Sequence, residues 1–196
     1  MILSDTVQQQ LQRLLRTGMD SGLARLTQVS GALWQVSELS LRQGPARELR
    51  LSPAEGPQHC GALFTIPGGV FLVAFPEESA AAVARAFFKG FSKKPDAWKG
   101  KEPDAVAEIA NMMVNPTVNL MGDAALMIIF LSSPEVWRGD LSMLDETAFG
   151  KLLLREDGRA VRADVRIASP ELSATGAVVM LLNSAMGDHL AEALGA

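Results

Sequence analysis

The sequence predicts an α/β fold of the α+β type: two long helices packed on a mostly antiparallel sheet, in two halves related by a pseudo-two-fold. Three observations carry this. Apolar residues recur at helical spacing over two long stretches, one from about residue 5 and one from about residue 103. Short apolar runs stand around turn residues, the pattern of antiparallel hairpins. The order of elements then repeats, because each half reads as a long helix, two strand-like segments, a hairpin and a short helix.

In the first half, Ser4 or Asp5 can cap a helix running to about Val29, with Leu11, Leu14, Leu15, Leu23 and Leu26 as its apolar stripe. Gly18 and Gly22 weaken its middle and permit close packing or a bend, and Gly31 ends it. Residues 32–42 alternate as a half-buried strand, with an irregularity near Gln35-Val36. A Gly44-Pro45 turn follows, then a short strand over Glu48 to Leu51 and a loop from Ser52 to Gln58. Gly61 to Ile66 and Val70 to Phe75 form a hairpin about Pro67-Gly68-Gly69. Pro76 opens a helix to about Gly90, with Glu77 and Glu78 in its positive first turn. Residues 92–102, with Trp98, are the most linker-like stretch. They divide a single domain over 1–196 into a first half of about 1–91 and a second of about 103–196.

The second long helix begins near Pro103 and Asp104. Pro116 removes a hydrogen bond, so either the helix kinks there or Asn115 caps a second segment ending near Gly122. Leu126 to Leu131 reads as a buried strand, Pro134 punctuates it, and Val136 to Met143 is strand or extended. Lys151 to Glu156, the Asp157-Gly158 turn and Arg159 to Ala168 read as a hairpin. After a loop at Pro170, Thr175 to Leu182 is a strand and Ser184 to Leu194 a closing helix. The tail Gly61 to Phe88 matches Asp164 to Leu194 in pattern and length.

The composition excludes several function classes. With 48% apolar and 20% charged residues the chain of 196 is globular, and a net charge of −4 gives no footprint for nucleic acid. The lone Cys60 excludes an intramolecular disulfide, and with only His59 and His189 beside it a His/Cys metal site is not expected. The start has no basic n-region or long apolar core, and the run from Ala124 to Leu131 is too short to span a bilayer. The expectation is a cytoplasmic protein with no membrane insertion.

Within the second long helix, Asp104, Glu108, Asn111 and Asn115 fall on one face, and Val106, Ile109, Ala110 and Met113 on the opposite one. On geometry alone any amphipathic helix has such a polar stripe. The pattern Asp-x3-Glu-x2-Asn-x22-Pro, met by Asp104, Glu108, Asn111 and Pro134, resembles the signature of the CheC/CheX/FliY phosphatases of bacterial chemotaxis, as does Met112-Met113-Val114 after the asparagine. The resemblance implies a CheC-like fold and dephosphorylation of a CheY-like receiver domain in two-component signalling. A CheD-like regulator is a further partner it implies. Asn111 is the first asparagine in the chain, so the first long helix holds no Glu-x-x-Asn and is expected to be scaffold.

Hydrolysis of an aspartyl phosphate held by a receiver and its Mg²⁺ needs a placed water. A carboxamide both donates and accepts hydrogen bonds without changing charge, which makes Asn111 the candidate to orient that water. The family implies that Glu108 pairs with a receiver lysine. Asp104 is a first-turn helix charge, Met112 lies at the edge of the stripe, and Asn115 stands where the family often has a small residue. These three are candidate partner contacts. No metal or cofactor of the chain's own is expected, the Mg²⁺ being the receiver's. Two halves in one chain predict a monomer or weak dimer. The alternative is a non-catalytic scaffold of the flagellar-switch type, as in the related FliM middle domain.

Overall fold

Ser4 and Gly31 bracket the first helix, α1 (Asp5–Ser30). The Ser4 hydroxyl accepts from the Val7 N–H at 3.3 Å, and Gly31, at φ 66°, sends its N–H back to the Thr27 carbonyl. Every third or fourth residue along α1 is buried: Val7, Leu11, Leu15, Gly18, Gly22 and Leu26. The computed structural model describes residues 3–52, 56–89, 96, 98–152, 154 and 158–195. The expectations for residues 53–55, 90, the linker residues 92–95 and 97, and 153 and 155–157 lie outside them.

The remaining elements are β1 (Gln35–Pro45), α2 (Ala46–Leu49), β2 (His59–Ile66), β3 (Gly69–Pro76), α3 (Glu77–Lys89), α4 (Glu102–Ala124), β4 (Glu135–Gly139), α5 (Leu141–Lys151), β5 (Arg159–Ser169), β6 (Ala174–Asn183) and α6 (Ser184–Gly195). All six strands form one sheet in the order β1-β5-β6-β3-β2-β4, and every pairing is antiparallel. That order is a palindrome. Exchanging β1 with β4, β2 with β5 and β3 with β6 reverses it, and the same exchange carries α1 to α4, α2 to α5 and α3 to α6. The pseudo-two-fold passes between β3 and β6, and each half places its first strand at the far side of the other half.

Alternation along the strands builds two cores. Phe71, Val73 and Phe75 of β3 face α1 and α4, whereas Val70, Leu72 and Ala74 face α2 and α5. On the α1–α4 side Trp34 packs edge-on to Phe75, with ring centroids 6.0 Å apart. Helices α1 and α4 cross antiparallel, with Gly18 against Thr117 and Gly22 against Met113. A Cβ on Gly22 would stand 2.7 Å from the Met113 Cα, so the glycines give close approach, with α1 unbroken through them.

On the other side a buried ion cluster ties β5 to α5. Arg162 is wholly buried. Its Nε donates to Asp164 at 2.8 and 2.9 Å, and its Nη1 to the Leu49 carbonyl at 3.1 Å and to the Asp145 carboxylate. Burial pushes the Asp145 carboxyl up, against the pull of Arg162 and the Leu51 N–H. Burial opposes the charge on Asp164 too, but the hydrogen bonds and charges of Arg162 and Arg42 outweigh it and hold that carboxyl low.

Four local expectations are corrected. Residues after Pro45 form the helical turn α2, not a strand over 48–51, because the Ala46 N–H turns to the Gly158 carbonyl and Leu49 is buried against α5. Leu126 to Leu131 is not a buried strand. Leu126, Ile128 and Phe130 are 93%, 78% and 76% exposed, while Met127, Ile129 and Leu131 pack on the core, and β2 ends at Ile66 without a partner strand for them. Strand β4 stops at Gly139. Asp140 accepts from the Met143 N–H at 2.8 Å and caps α5 where the sequence predicts extended chain. Finally, Lys151 closes α5 where the sequence predicts the first arm of a hairpin, and β5 pairs with β1 and β6. The true hairpin joins β5 to β6.

Elsewhere the boundaries move little. Strand β1 carries its register shift between Val36 and Glu38, beside the expected irregularity, starts at Gln35 because Trp34 is drawn into the core, and runs on through Gly44 and Pro45, paired with Ala160 and Arg159, where the sequence predicts a turn. Pro76 ends β3, one residue before α3.

Candidate functional site

Helix α4 is one element from Glu102 to Ala124, with Pro116 inside it and buried. This settles the two alternatives at Pro116 against a separate second segment. Asn115 does not cap forward but bonds back one turn. The helix is held from the buried side, where Val106, Ile109, Ala110 and Met113 are completely buried. It ends in a Schellman arrangement: the Met127 N–H reaches the Gly122 carbonyl at 2.9 Å and the Leu126 N–H the Asp123 carbonyl at 3.3 Å. Leu126 occupies the left-handed position there, at φ 52°.

The opposite face carries the sequence-predicted residues. Asp104 and Glu108 are exposed, and Asn111, Met112 and Asn115 are half-buried. Among the described residues neither Asp104 nor Glu108 has an ion-pair or hydrogen-bond partner, so two carboxylates one turn apart stand free. The acidic character extends to Glu102, at 4.0 Å from Arg138. Asn111 follows Glu108 at i+3 and lies beside it on the helix surface. Met112 packs against the edge of the core, and Asn119 is exposed outside the group. Pro134 is half-buried just before β4.

Asn115, expected from its place on the helix face to be a partner contact, is tied within the helix instead. Its Nδ2 donates to the Asn111 backbone carbonyl at 2.9 Å and to Asn111 Oδ1 at 2.7 Å. The i+4 spacing of the two asparagines is the sequence signal for this bond.

Other chemistry is thinly represented. Burial pushes the Cys60 thiol up, more than the charge of Arg138 lowers it, and the side chain is 1% exposed. His59 Nδ1 lies 2.7 Å from the Pro57 carbonyl. Among the described residues no group of three His, Cys, Asp or Glu side chains is placed to hold a metal, and no helix is long and apolar enough to cross a membrane.

No family model matches the chain, and no curated protein matches it in sequence. Solved structures do match. FliY of Thermotoga maritima superposes with a TM-score of 0.73 at 13% identity, over 100% of this chain and 98% of that one. The FliM middle domain of H. pylori gives 0.64 at 10% identity, over 97% and 99%. The chemotaxis protein CheX of Desulfovibrio desulfuricans gives 0.56 at 14% identity, over 87% and 99%. At such identities the likeness is one of fold, and it covers nearly the whole chain. The six-stranded antiparallel sheet, its palindromic order and the two long helices give this chain the fold of the CheC/CheX/FliY family.

Proposed function

We propose that the chain is a phosphatase for the aspartyl phosphate of a CheY-like receiver domain. The observation that carries this reading is the pairing of an unpartnered Glu108 with an anchored Asn111, one turn apart on a rigid helix face. When α4 docks on the receiver, Glu108 pairs with a receiver lysine and sets the register, and Asp104 adds to the acidic field. Asn111 then enters the phosphorylation site and orients a water in line with the bond to be broken. The water oxygen bonds to phosphorus, the P–O bond to the aspartyl carboxylate breaks, and inorganic phosphate leaves with the water's proton lost to solvent. Receiver-bound Mg²⁺ neutralises the phosphoryl oxygens, so this chain supplies position rather than a nucleophile or a metal.

The test is the decay of phosphorylated receivers with and without the protein. Asn111→Ala should slow the accelerated decay on the order of 10²-fold, since a positioning group at the reacting centre is lost. Glu108→Ala should weaken docking and turnover together. Asp104→Ala should be mild, within about 0.3–1 kcal/mol of helix-terminus charge. Thermal stability should hold in all three, because none of these side chains is in the core. Wild-type activity in Asn111→Ala would overturn the reading.

A second reading, a non-catalytic scaffold, is favoured by the likeness to H. pylori FliM solved in complex with FliG, at a TM-score of 0.67 and 9% identity. Binding of the phosphorylated receiver with no acceleration of its decay would select it.

A further inference from the structure

The bond between Asn115 and Asn111 decides which end of the Asn111 carboxamide faces outward. A backbone carbonyl can only accept, so the Asn115 atom 2.9 Å from the Asn111 carbonyl has to be the amino nitrogen. That same nitrogen lies 2.7 Å from the end of the Asn111 side chain, so the atom it meets there has to be the oxygen. The chain of constraints starts at an atom that cannot be flipped and ends at Asn111. Its Oδ1 is turned toward Asn115 with one lone pair occupied. Its Nδ2, with two donors, faces away and has no partner among the described residues. Pro116, buried and without an N–H, follows directly and narrows the backbone choices of Asn115.

We infer that Asn115 is a positioning residue that pins the Asn111 carboxamide with its amino group presented to the docked receiver. The inference rests on the phosphatase reading of Asn111 for its consequence in rate, but not for the geometry. A free asparagine side chain samples both ends of its amide, and a broad χ2 well between them. Pinning removes that search before the partner arrives, which is pre-organisation of the kind that raises turnover without tightening binding. Presented in this sense, the amide meets a water's lone pair or a phosphoryl oxygen with a donor first, and the second Oδ1 lone pair stays open to accept from the same water.

The experiment compares Asn115→Ala and Asn115→Asp with the wild type in two measurements. The first is side-chain ¹⁵N relaxation of the Asn111 amide in the protein alone. The second is steady-state decay of a phosphorylated CheY-like receiver with Mg²⁺. Asn115→Ala should release the Asn111 amide to fast motion and lower kcat about 3- to 10-fold, the equivalent of one ordinary hydrogen bond, with KM for the receiver unchanged. Asn115→Asp introduces an acceptor-only group that draws the Asn111 amino end inward, so it should lower kcat further than alanine does, again at constant KM. Release of the Asn111 amide in Asn115→Ala, together with a wild type that accelerates no receiver, would support the clamp and remove the phosphatase reading. An Asn111 amide equally rigid in all three proteins, or a kcat in Asn115→Asp equal to wild type while Asn111→Ala is inactive, would overturn the clamp and leave the phosphatase.

Discussion

Leu126 and Ser173 are the two non-glycine residues with a left-handed backbone among the described residues, and Leu126 is the one that closes a helix. It sits at φ 52°, at the left-handed position that closes α4, where a Cβ is disfavoured by about 1–2 kcal/mol and glycine is the usual occupant. Its side chain is 93% exposed, so removing it forfeits almost no burial. Against the relief of strain stands the extra freedom that glycine gives the unfolded chain, about 0.5–1 kcal/mol. Strain relief is the larger, so Leu126→Gly should be stabilising by about 0.5–1 kcal/mol and raise Tm by a degree or more in calorimetry. A lowered Tm would show that the leucine packs on something in solution. At this scale the sequence is legible where a side chain has one plausible partner. Asp104, Glu108 and Asn111 stand on the face their spacing puts them on. Asn115 is half-legible: its place on the ladder is clear, but the choice between bonding forward over Pro116 and back to Asn111 depends on backbone geometry.

At the level of elements, two glycines give opposite expectations for the same substitution. A Cβ on Gly22 meets the Met113 Cα and carbonyl oxygen, both at 2.7 Å, and backbone cannot rotate away as a side chain would. Overpacking of about 1–3 kcal/mol outweighs the gain in helix propensity of about 1 kcal/mol, so Gly22→Ala should destabilise and push α1 from α4. At Gly150, near the end of α5, an added methyl would meet nothing within 4 Å, and Gly150→Ala should stabilise by about 0.5–1 kcal/mol. Paired urea titrations check both signs, and equal effects would refute the packing argument. Helix α5 itself is hard to read from sequence because Val136 to Met143 has strand-like residues on either side of its cap. Asp140, followed by Leu144, Ala148 and Phe149 at helical spacing, is the available signal. The run from Leu126 to Leu131 misleads for the opposite reason. Its apolar residues look like a core strand, yet the alternate ones face outward, and exposure of that kind is set by the end of β2 rather than by local pattern.

For the molecule as a whole, acid stability follows from three carboxyls. Asp140 is held low by the Ser142 hydroxyl and the Met143 N–H, and Asp164 by Arg162 and Arg42 against its burial. A lowered folded pKa gives stability that is present above the unfolded value, about 3.9, and is lost as pH falls through the folded value. Asp145, raised by burial, works in the opposite sense: its contribution is full below that unfolded value and is lost as pH rises through its own folded pKa. The share held by Asp140 and Asp164 is lost below about pH 4, so Asp164→Asn, which lacks one of the depressed groups, should show a shallower fall of Tm there than the wild type. An unchanged acid slope in that variant would remove Asp164 from the account. The global architecture is the most legible feature, because the repeat of helix, hairpin and helix needs only order. The exchange of outer strands is not legible, since β1 pairs with a strand more than a hundred residues away and nothing near Gln35 encodes that choice.

The palindromic sheet order makes the two halves a clasp. Strand β1 lies against β5 and β4 against β2, so each half keeps one finger in the other's grip. A protease site engineered between Lys89 and Glu102 would sever the only covalent link without touching either pairing. The nicked protein should run as one species on gel filtration and separate only in denaturant. Each fragment made alone should fail to fold for want of its partner's strand, and mixing the two should restore the fold. Fragments that part under native conditions, or that fold singly, would mean the halves merely touch.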